Sequence, residues 1–440
     1  MVCSNYRGIT LLCIAYKIFS NILFNRLSPF VEGIIGDYQC GFRQGRSTND
    51  QIFTIRQVLE KCNEFQIETH HLFIDFRSAY DSIDRDSLFL AMEEMHIPRK
   101  LIALVRATMR KTQCQIKIQN MLSSPIITRN GVRQGDSLAC LLFNIALEKV
   151  HVVRDAGINI VGTIFYKSVQ ILAFADVTDI IGRTQKSMKE AFLNLGRAAK
   201  KMNLQINQNK TEYMPVTKKD CANRPTYIEI GSYKFEVVCS FTYLGSEVNC
   251  KNNISDEIKK RVLAANKCLH GFRKHLKSQL IPKKTKTIMY KVLIRSVLSY
   301  ASETWPLSRS DERLLSIFIR RILRYIFGPV EENGIWRKRY NHELYKLFNE
   351  PDIIGFIKLK GLEWAGHIIR ASENRTIKKM LNTKPEENRR VGRPRLRWEE
   401  CVWQDIRIFG VKNWRNVASN GEEWQAILRK ARAHKGLSCQ

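Results

Sequence analysis

The pattern of apolar and polar residues divides the first half of the chain into alternating strand-like and helix-like segments. Short apolar runs at 71–76 and 171–181 predict buried strands, and the second run predicts a hairpin folded about a tight turn. Helical spacing of apolar residues predicts helices over Phe19–Leu27 and Asn49–Lys61, the second one capped by residues 47–50. Further helices are predicted near 85–95, 98–110, 138–150 and 186–202, and further strands at 113–118 and 125–130. This alternation predicts an α+β fold with helices on one face of a sheet.

The second half of the chain is predicted to be helical and basic. The segments Asp256–Leu276 and Lys283–Tyr300 place Lys and Arg on one side and Leu, Ile and Val on the other, as amphipathic helices do. From about residue 306 the chain stays helical. Pro, Gly and polar residues at 384–388 and 392–394 interrupt it and indicate a linker into a terminal module.

Two of the strand-like segments each deliver an aspartate to a strand end. Asp75 follows the apolar run Leu72–Ile74, and Asp176 lies in the turn of the 171–181 hairpin. Two carboxylates on neighbouring strands form a site for a divalent metal ion. An isolated aspartate at such a place is more often a turn residue or a helix cap, so the surrounding sequence has to decide.

Six short motifs surround these aspartates in a fixed order. They are Asn5–Leu12, Gly41–Thr48, Asp75–Ser82, Gly131–Leu138, Asn207–Glu212 and Phe241–Gly245. With them the chain resembles the reverse transcriptases of non-LTR (LINE-type) retrotransposons, and the resemblance covers nearly the whole chain. It implies a right-hand polymerase fold of fingers, palm and thumb with an antiparallel palm sheet. It also implies template-primed DNA synthesis on RNA by two-metal phosphoryl transfer.

The resemblance also divides the chain into segments. These are partial fingers at 1–70, the palm or reverse transcriptase core at 71–245, the thumb at 246–305, and a basic helical C-terminal region at 306–440. Members of the family usually carry an apurinic-type endonuclease ahead of the first motif. We therefore expect an N-terminally truncated copy that lacks the endonuclease domain.

One residue departs from the family's catalytic turn, which reads aromatic-Ala-Asp-Asp. Here the turn reads Phe174-Ala175-Asp176-Val177, and valine offers no oxygen ligand to magnesium. Asp179 lies about 6.6–7 Å further along a regular strand, too far to replace the missing carboxylate without a bulge. We therefore expect an impaired polymerase. The alternative is a catalytically inactive, nucleic-acid-binding relic or scaffold.

The resemblance assigns the reacting groups residue by residue. Asp75 and Asp176 would bridge two Mg²⁺ ions, with the backbone carbonyl of Phe76 as a further ligand. Deoxynucleoside triphosphates would be the substrates. Lys210 would protonate the departing pyrophosphate, whereas on its own a lysine at this place would be a surface charge.

Further residues are assigned to nucleotide and primer. Arg43 and Arg46 would bind triphosphate oxygens, although a solvated loop explains them equally well. Tyr80 would close the floor beneath the nucleotide sugar, and a core tyrosine is compatible with that role. The remaining assignments are Gln134 and Gly135 beside the incoming base pair, and Tyr243, Leu244 and Gly245 as the primer grip.

The segment 389–398 is rich in arginine and ends in a tryptophan. Arg393, Arg395 and Arg397 on an extended backbone would suit a nucleic-acid groove, and Trp398 would stack on an unpaired base. The alternative is an exposed basic loop that Trp398 anchors to helices bearing further tryptophans, namely Trp403, Trp414 and Trp424.

The strongly basic net charge of the chain predicts a polyanionic partner. The resemblance implies that this partner is an RNA template together with a DNA primer or target. The formal net charge is +30, and residues 251–440 carry about 41 Lys and Arg against about 19 Asp and Glu. The twelve cysteines are scattered without zinc-site spacing.

No apolar run reaches the roughly 18–20 residues of a membrane span. We expect an intracellular protein of the nucleus, the cytoplasm or both, and the sequence predicts no oligomeric state.

Overall fold

The computed structural model describes residues 8–110, 112–151, 163–166, 169–217, 224–389, 391–392 and 396–433. The chain forms two compact units. Unit 1 comprises Met1–Gln51, Ile67–Cys239 and Thr383–Glu386, and unit 2 comprises Ile52–Gln66, Ser240–Asn382 and Glu387–Gln440. The division at Cys239 falls close to the predicted end of the palm at 245. The predicted fingers, palm and thumb boundaries remain predictions.

Unit 1 is built on a six-stranded sheet. Its strands are β1 (Thr69–Ile74), β7 (Val169–Phe174), β8 (Val177–Gly182), β10 (Glu212–Val216), β11 (Tyr227–Ile230) and β12 (Tyr233–Val237). Across the sheet their order is β11-β12-β10-β1-β8-β7. All neighbours pair antiparallel except β10 with β12. A two-stranded ladder of β2 (Phe76–Arg77) and β9 (Gln205–Ile206) continues beyond β1. The predicted α+β class with a mainly antiparallel sheet is confirmed.

Helices cover one face of this sheet. They are α1 (Ile14–Ile34), α3 (Ala79–Ser82), α4 (Arg85–Glu94), α5 (Arg99–Met109), α6 (Ser137–His151) and α7 (Gln185–Lys201). Alternation along β1 and β8 turns Leu72, Ile74 and Ile180 toward this layer, where they join one buried core with Phe143 and Phe192 of the helices. Helix α2 (Thr48–Phe65) begins in unit 1 and continues in unit 2.

The strands predicted at 113–118 and 125–130 are wrong in extent. The structure has two short ladders instead, which pair Gln113–Cys114 (β3) with Ile126–Ile127 (β6), and Lys117–Ile118 (β4) with Met121–Leu122 (β5). Between them the Ile116 backbone N–H donates to the side-chain oxygen of Ser123 at 2.9 Å. Pro125 has no N–H to offer a ladder, so regular pairing stops there.

Unit 2 is mainly helical. Its helices are α8 (Ile254–Lys277), α9 (Lys283–Met289), a π-helical turn (Tyr290–Arg295), α10 (Ser296–Leu298), a 3₁₀ turn (Ser302–Thr304), α11 (Arg309–Phe327), α12 (Asn341–Phe348), α13 (Ile353–Arg370), α14 (Thr376–Asn382), α15 (Trp398–Arg407), α16 (Trp414–Ser419) and α17 (Gly421–Ala433). Two hairpins complete it, β13 (Ser240–Tyr243) with β14 (Ser246–Asn249), and β15 (Val330–Glu332) with β16 (Ile335–Arg337). The predicted amphipathic helices at 256–276 and 283–300 are confirmed.

Unit 2 has two buried clusters of its own. The first joins α8 and α11 through residues such as Ile258 and Leu315. The second surrounds α13 with the tryptophans of α15, α16 and α17, which are Trp398, Trp414 and Trp424. In the described part of the chain, no helix combines the length and the apolar character needed to span a bilayer.

Candidate active site

Asp75 is the first residue after β1, and the motif that begins at Asn207 is folded onto it. The Asp75 carbonyl accepts the Asn207 backbone N–H at 2.8 Å, and the Asp75 carboxylate accepts the Asn207 side-chain amide at 3.1 Å. Lys210 Nζ lies 3.8 Å from the same carboxylate. The predicted residues Asp75 and Lys210 therefore come together. The prediction gave no role to Asn207, although it lies within one of the motifs.

Asp176 lies in the turn that joins β7 to β8. The last cross-strand pair is Phe174 with Val177, and Ala175 adopts a positive φ of 53° to close the turn. Buried Gln39 holds this turn from outside the hairpin. Its side-chain carbonyl accepts the Ala175 N–H at 3.1 Å, and its amide donates to the Ala175 carbonyl at 3.4 Å. Sequence reasoning missed Gln39, whose only signal is its place just before the motif Gly41–Thr48.

Gly41 permits this arrangement because its backbone lies directly against the turn. A Cβ atom built on Gly41 would lie 2.2 Å from the backbone nitrogen of Ala175, closer than any real contact. The Gly41 N–H also donates to the Gln39 side-chain carbonyl at 2.8 Å. Any side chain at position 41 would therefore displace the turn that carries Asp176.

The register of β1 against β8 brings Val177 to the end of β1 from which Asp75 follows. The ladder ends at the pair Ile74 with Thr178, and one further step along both strands would oppose Asp75 to Val177. Residues opposed on antiparallel strands point to the same face of the sheet and lie about 4.5–5.5 Å apart at their Cα atoms. The half-buried Val177 side chain would therefore face the same side as the Asp75 carboxylate.

A two-ion site built on Asp75 and Asp176, as predicted, would thus be one carboxylate short, because the Val177 side chain has no oxygen. Within the described ranges, no group of three or more Asp, Glu, His or Cys side chains is placed to hold a metal ion. The residues present fit a divalent ion only incompletely.

Asp179 does not replace the missing carboxylate. It is fully buried in regular pairing with Phe73 of β1, and its carboxylate is bonded to the ring nitrogen Nδ1 of His71 at 3.1 Å. Burial raises the pKa of Asp179, and the neighbouring His71 only partly opposes this. This agrees with the expectation that Asp179 cannot reach the site.

Tyr80 lies near enough to Asp176 to interact with its charge, and its predicted role beneath the nucleotide sugar remains a prediction. Its ring stacks on Phe143 with centroids 4.3 Å apart, and Phe42 meets it edge-on at 6.4 Å. Burial raises the pKa of the Tyr80 hydroxyl well above its usual value, and the Cys140 thiol and the Asp176 charge raise it further. Tyr80 is therefore both a packed residue and a neighbour of the candidate metal ligand.

The two predicted triphosphate ligands are engaged by carboxylates of the protein. Arg43 is buried, and its guanidinium donates to both carboxylate oxygens of Glu32 and to the carbonyls of Gly36 and Gln39 at 2.6–3.1 Å. Arg46 donates to Asp37 at 2.6 Å. Every nitrogen of the Arg43 guanidinium is used, so the prediction that it binds triphosphate oxygens does not describe this conformation.

Gln134 and Gly135 lie just before α6, as predicted, but the N-terminal segment lies against them. The Gln134 carbonyl accepts the Thr10 N–H at 2.9 Å. Gly135 has a φ of +106°, and a Cβ built there would lie 3.2 Å from the Thr10 carbonyl oxygen. Another backbone segment therefore does lie close to Gly135, and in this structure that segment is the one around Thr10.

The predicted primer grip is the tip of the β13–β14 hairpin in unit 2. Leu244 and Gly245 both have positive φ, 47° and 79°, as a two-residue type I′ turn requires. The Tyr300 hydroxyl donates to the Leu244 carbonyl at 2.8 Å. Arg261 donates to the Gly245 carbonyl and stacks over the Tyr300 ring at 4.6 Å. Tyr243 is buried beneath the turn.

Trp398 is a core residue, which contradicts its prediction as a base-stacking side chain. It is 2% exposed, its indole N–H donates to the Glu303 carbonyl at 2.7 Å, and its ring packs on Phe53 at 4.7 Å. Arg397 pairs with Glu64 at 2.6 Å. The alternative, in which Trp398 anchors the segment, agrees with this packing. Arg393 and Arg395 lie outside the described residues.

Comparison with known proteins identifies the family. The family model described as "Reverse transcriptase (RNA-dependent DNA polymerase)" matches residues 2–248. The chain belongs to this family. The predicted resemblance to non-LTR retrotransposon enzymes is confirmed. The roles assigned to Asp75 and Asp176 remain predictions.

Individual relatives are distant. A transposon-derived protein of Caenorhabditis elegans is 24% identical over 59% of this chain and 95% of its own length. A Drosophila melanogaster protein named as an RNA-directed DNA polymerase from transposon BS is 20% identical over 73% of this chain, which spans 36% of that protein. A solved telomerase from Candida tropicalis aligns with 82% of this chain and 60% of its own chain, at 11% identity and a TM-score of 0.40.

Proposed function

We propose that this protein is a retrotransposon-derived RNA-directed DNA polymerase whose chemistry is impaired by Val177. The observation that supports the proposal is the register of β1 against β8, which ends at the pair Ile74 with Thr178; continued by one residue, it would set Val177 beside Asp75. An RNA template and a DNA primer or target are the partners this function requires. The intracellular location expected from the sequence belongs to the same proposal.

The residues at the site have separable roles in this proposal. Divalent ions, when bound, would activate the primer hydroxyl and neutralise charge on the leaving pyrophosphate. Asp75 and Asp176 would hold them, with the Phe76 carbonyl nearby in sequence. Lys210, 3.8 Å from Asp75 and largely exposed, is free to turn toward a leaving group and give it a proton.

Val177 lowers the rate because it removes a preorganised negative group from this site. Loss of one such stabilising group commonly costs about 10²–10³ in rate. The isopropyl side chain also excludes water from the position that an ion's ligand shell would use. We therefore expect slow synthesis from the wild-type chain.

The alternative function is a catalytically inactive nucleic-acid-binding protein. The missing carboxylate favours it, as does the engagement of Arg43 and Arg46 by Glu32 and Asp37 instead of a nucleotide. Binding of RNA without any extension, in both wild type and a variant with the carboxylate restored, would establish this alternative.

Primer extension on an RNA template tests the proposal. We expect Val177→Asp to raise the rate of single-nucleotide incorporation by about 10² or more. The variant Val177→Asp with Asp176→Asn is the control, and it should lose this gain because Asp176 is a ligand in the proposal. Equal rates in wild type and Val177→Asp would refute the role given to position 177.

A further inference from the structure

The chain between α5 and α6 of unit 1 forms a two-stranded arm, residues 113–127, that is separate from the six-stranded sheet. The ladders β3–β6 and β4–β5 make up the arm, and a two-residue turn at Gln119 and Asn120 closes it. The Ser123 N–H donates to the Ile116 carbonyl at 3.0 Å, and this bond joins the two ladders. None of the residues assigned to polymerisation lies in the arm.

Arg85, the first residue of α4, ties the base of the arm to unit 1. Its guanidinium donates to the Met109 carbonyl before the first strand, and to the carbonyls of Thr128, Asn130 and Gly131 after the last one, at 2.9–3.1 Å. A guanidinium can bond several carbonyls at once because its donors are held in one rigid plane. The base of the arm is therefore fixed in position.

The apolar side chains of the arm are exposed. Ile118 and Met121, the last pair before the turn, are 63% and 72% exposed, and as directly opposed residues they point to the same face of the arm. Four more aliphatic side chains of the arm are also exposed, namely Ile116, Leu122, Ile126 and Ile127. Exposed apolar groups gathered in one place are typical of an interaction surface.

The charge of this part of the chain favours an anionic partner. Between Glu94 and Asp136 there are eight Lys and Arg residues and no Asp or Glu. Lys117 in the arm and Arg129 just after it are exposed, and in the described ranges neither forms an ion pair. The same stretch has no Phe, Tyr or Trp, so it offers no ring on which an unpaired base could stack. A nucleic-acid duplex, whose bases are already stacked, fits this combination better than a single strand.

We propose that the arm lies in the minor groove of a B-form DNA duplex and inserts Ile118 and Met121 between neighbouring base pairs. Isoleucine, leucine and methionine act as such wedges in minor-groove proteins, where they unstack a base step and bend the duplex. Lys117 and Arg129 would contact the phosphates beside the groove. An A-form duplex fits less well because its minor groove is wide and shallow. The inference goes beyond the proposed function, since holding a DNA duplex requires no polymerase chemistry.

Bending of DNA by the full chain tests this inference. A DNA duplex of about 20 base pairs carries a fluorescence donor at one end and an acceptor at the other, in a buffer with EDTA and without deoxynucleotides. We expect saturating protein to raise the energy transfer, because inserted wedges kink a duplex by roughly 20–90°. Met121→Ser should remove about half or more of that rise. Ile335→Ser is the matched control and should bend DNA as wild type does, since Ile335 is equally exposed, at 72%, in the β15–β16 hairpin of unit 2.

Bound DNA without a rise in energy transfer would overturn the inference, as would equal rises with wild type and Met121→Ser, or an equal loss with Ile335→Ser. An equal rise with an RNA duplex of the same length would contradict the B-form groove. Phosphatidylserine vesicles test the other anionic partner: vesicle binding that Met121→Ser abolishes, with DNA bending unchanged, would assign the arm to a membrane surface instead. Because the bending assay contains no nucleotide and no divalent metal ion, none of these results bears on primer extension.

Discussion

At the scale of single residues, individual side chains decide whether the β7–β8 turn that carries Asp176 can form, and how many carboxylates it offers to a metal ion. Gln39 and Gly41 build it by hydrogen bonding and by close backbone approach to Ala175. In the proposed function, Val177 leaves this turn one metal ligand short. Gln39 and Gly41 shape the backbone of the turn, so their substitution should change the free energy of unfolding. Val177 changes which ligand atoms the site offers, so its substitution should change metal affinity and the rate of nucleotide incorporation.

Substitution of Gly41 by alanine should destabilise unit 1. The added Cβ would lie 2.2 Å from the Ala175 nitrogen, a backbone atom that cannot move aside cheaply. We expect a loss of about 1–3 kcal/mol in the free energy of unfolding, measured by urea denaturation. Gly33→Ala is the matched control because Gly33 is helical with open space around it, and it should be neutral or stabilising by up to about 1 kcal/mol. Equal effects of the two substitutions would contradict the close approach.

At the scale of secondary-structure elements, the sequence predicts best where the signal is local. The strand at 71–76 and the hairpin at 171–181 are short apolar runs, and the helices of the second half have clear periodicity, so all were found. The strands predicted at 113–118 and 125–130 are too long, because a serine side chain and a proline interrupt the pairing there. Periodicity does not register such interruptions.

Residue roles that depend on distant partners could not be read from the chain. Trp398 packs on Phe53 and donates to the Glu303 carbonyl, and both partners are far away in sequence. Arg43 pairs with Glu32 on α1, which is only 11 residues away but lies outside the motif that contains Arg43. The roles that the motifs assign to Asp75, Asp176 and Lys210 remain predictions, although the structure does bring Lys210 to the Asp75 carboxylate. The motif that contains Arg43 gave no indication that its guanidinium would be hydrogen-bonded to other groups of the protein.

Burial of Glu60 on α2 makes the stability of unit 2 depend on pH. Burial raises the pKa of Glu60 to about 7 from 4.5, against a hydrogen bond from the Trp398 N–H that lowers it. An acid whose pKa is raised by folding binds its proton more tightly in the folded state. Stability is therefore highest below about pH 4.5 and is lost as the pH rises toward about 7.

The Glu60→Gln variant tests this dependence. Between about pH 4.5 and 7, Glu60 should change the free energy of unfolding by on the order of 3 kcal/mol, and the variant should lose this contribution. Glutamine keeps an acceptor for the Trp398 N–H and carries no charge. Urea denaturation at a series of pH values measures the difference. An unchanged slope would show that Glu60 titrates normally.

Trp398 should matter for folding and not for contact with nucleic acid. Trp398→Ala is expected to cost about 3–5 kcal/mol in the free energy of unfolding, because it empties a packed site on α15 and removes the bond to Glu303. Trp336→Ala, at an exposed site, should cost less than about 1 kcal/mol. Lost RNA affinity with unchanged stability in Trp398→Ala would restore the stacking role.

At the scale of the whole molecule, net charge governs how the protein meets its partners. A formal charge of +30 makes binding to RNA or DNA largely a matter of counterion release, which depends little on sequence. We expect RNA affinity to fall by about 10³–10⁵ between 50 and 200 mM salt, as for proteins making roughly 6–10 phosphate contacts. Filter binding across this range measures the slope. A nearly flat salt dependence would mean that the charge does not face the nucleic acid.

If Val177 leaves the site one carboxylate short, as we propose, metal affinity should show it without relying on activity. Electron paramagnetic resonance can count Mn²⁺ bound to the wild-type chain and to Val177→Asp, each with primer and template present, with Asp176→Asn as a control. We expect Val177→Asp to bind Mn²⁺ more tightly, or to bind an additional ion, and Asp176→Asn to bind it more weakly than wild type. Equal number and affinity of Mn²⁺ ions in wild type and Val177→Asp would contradict the role proposed for position 177.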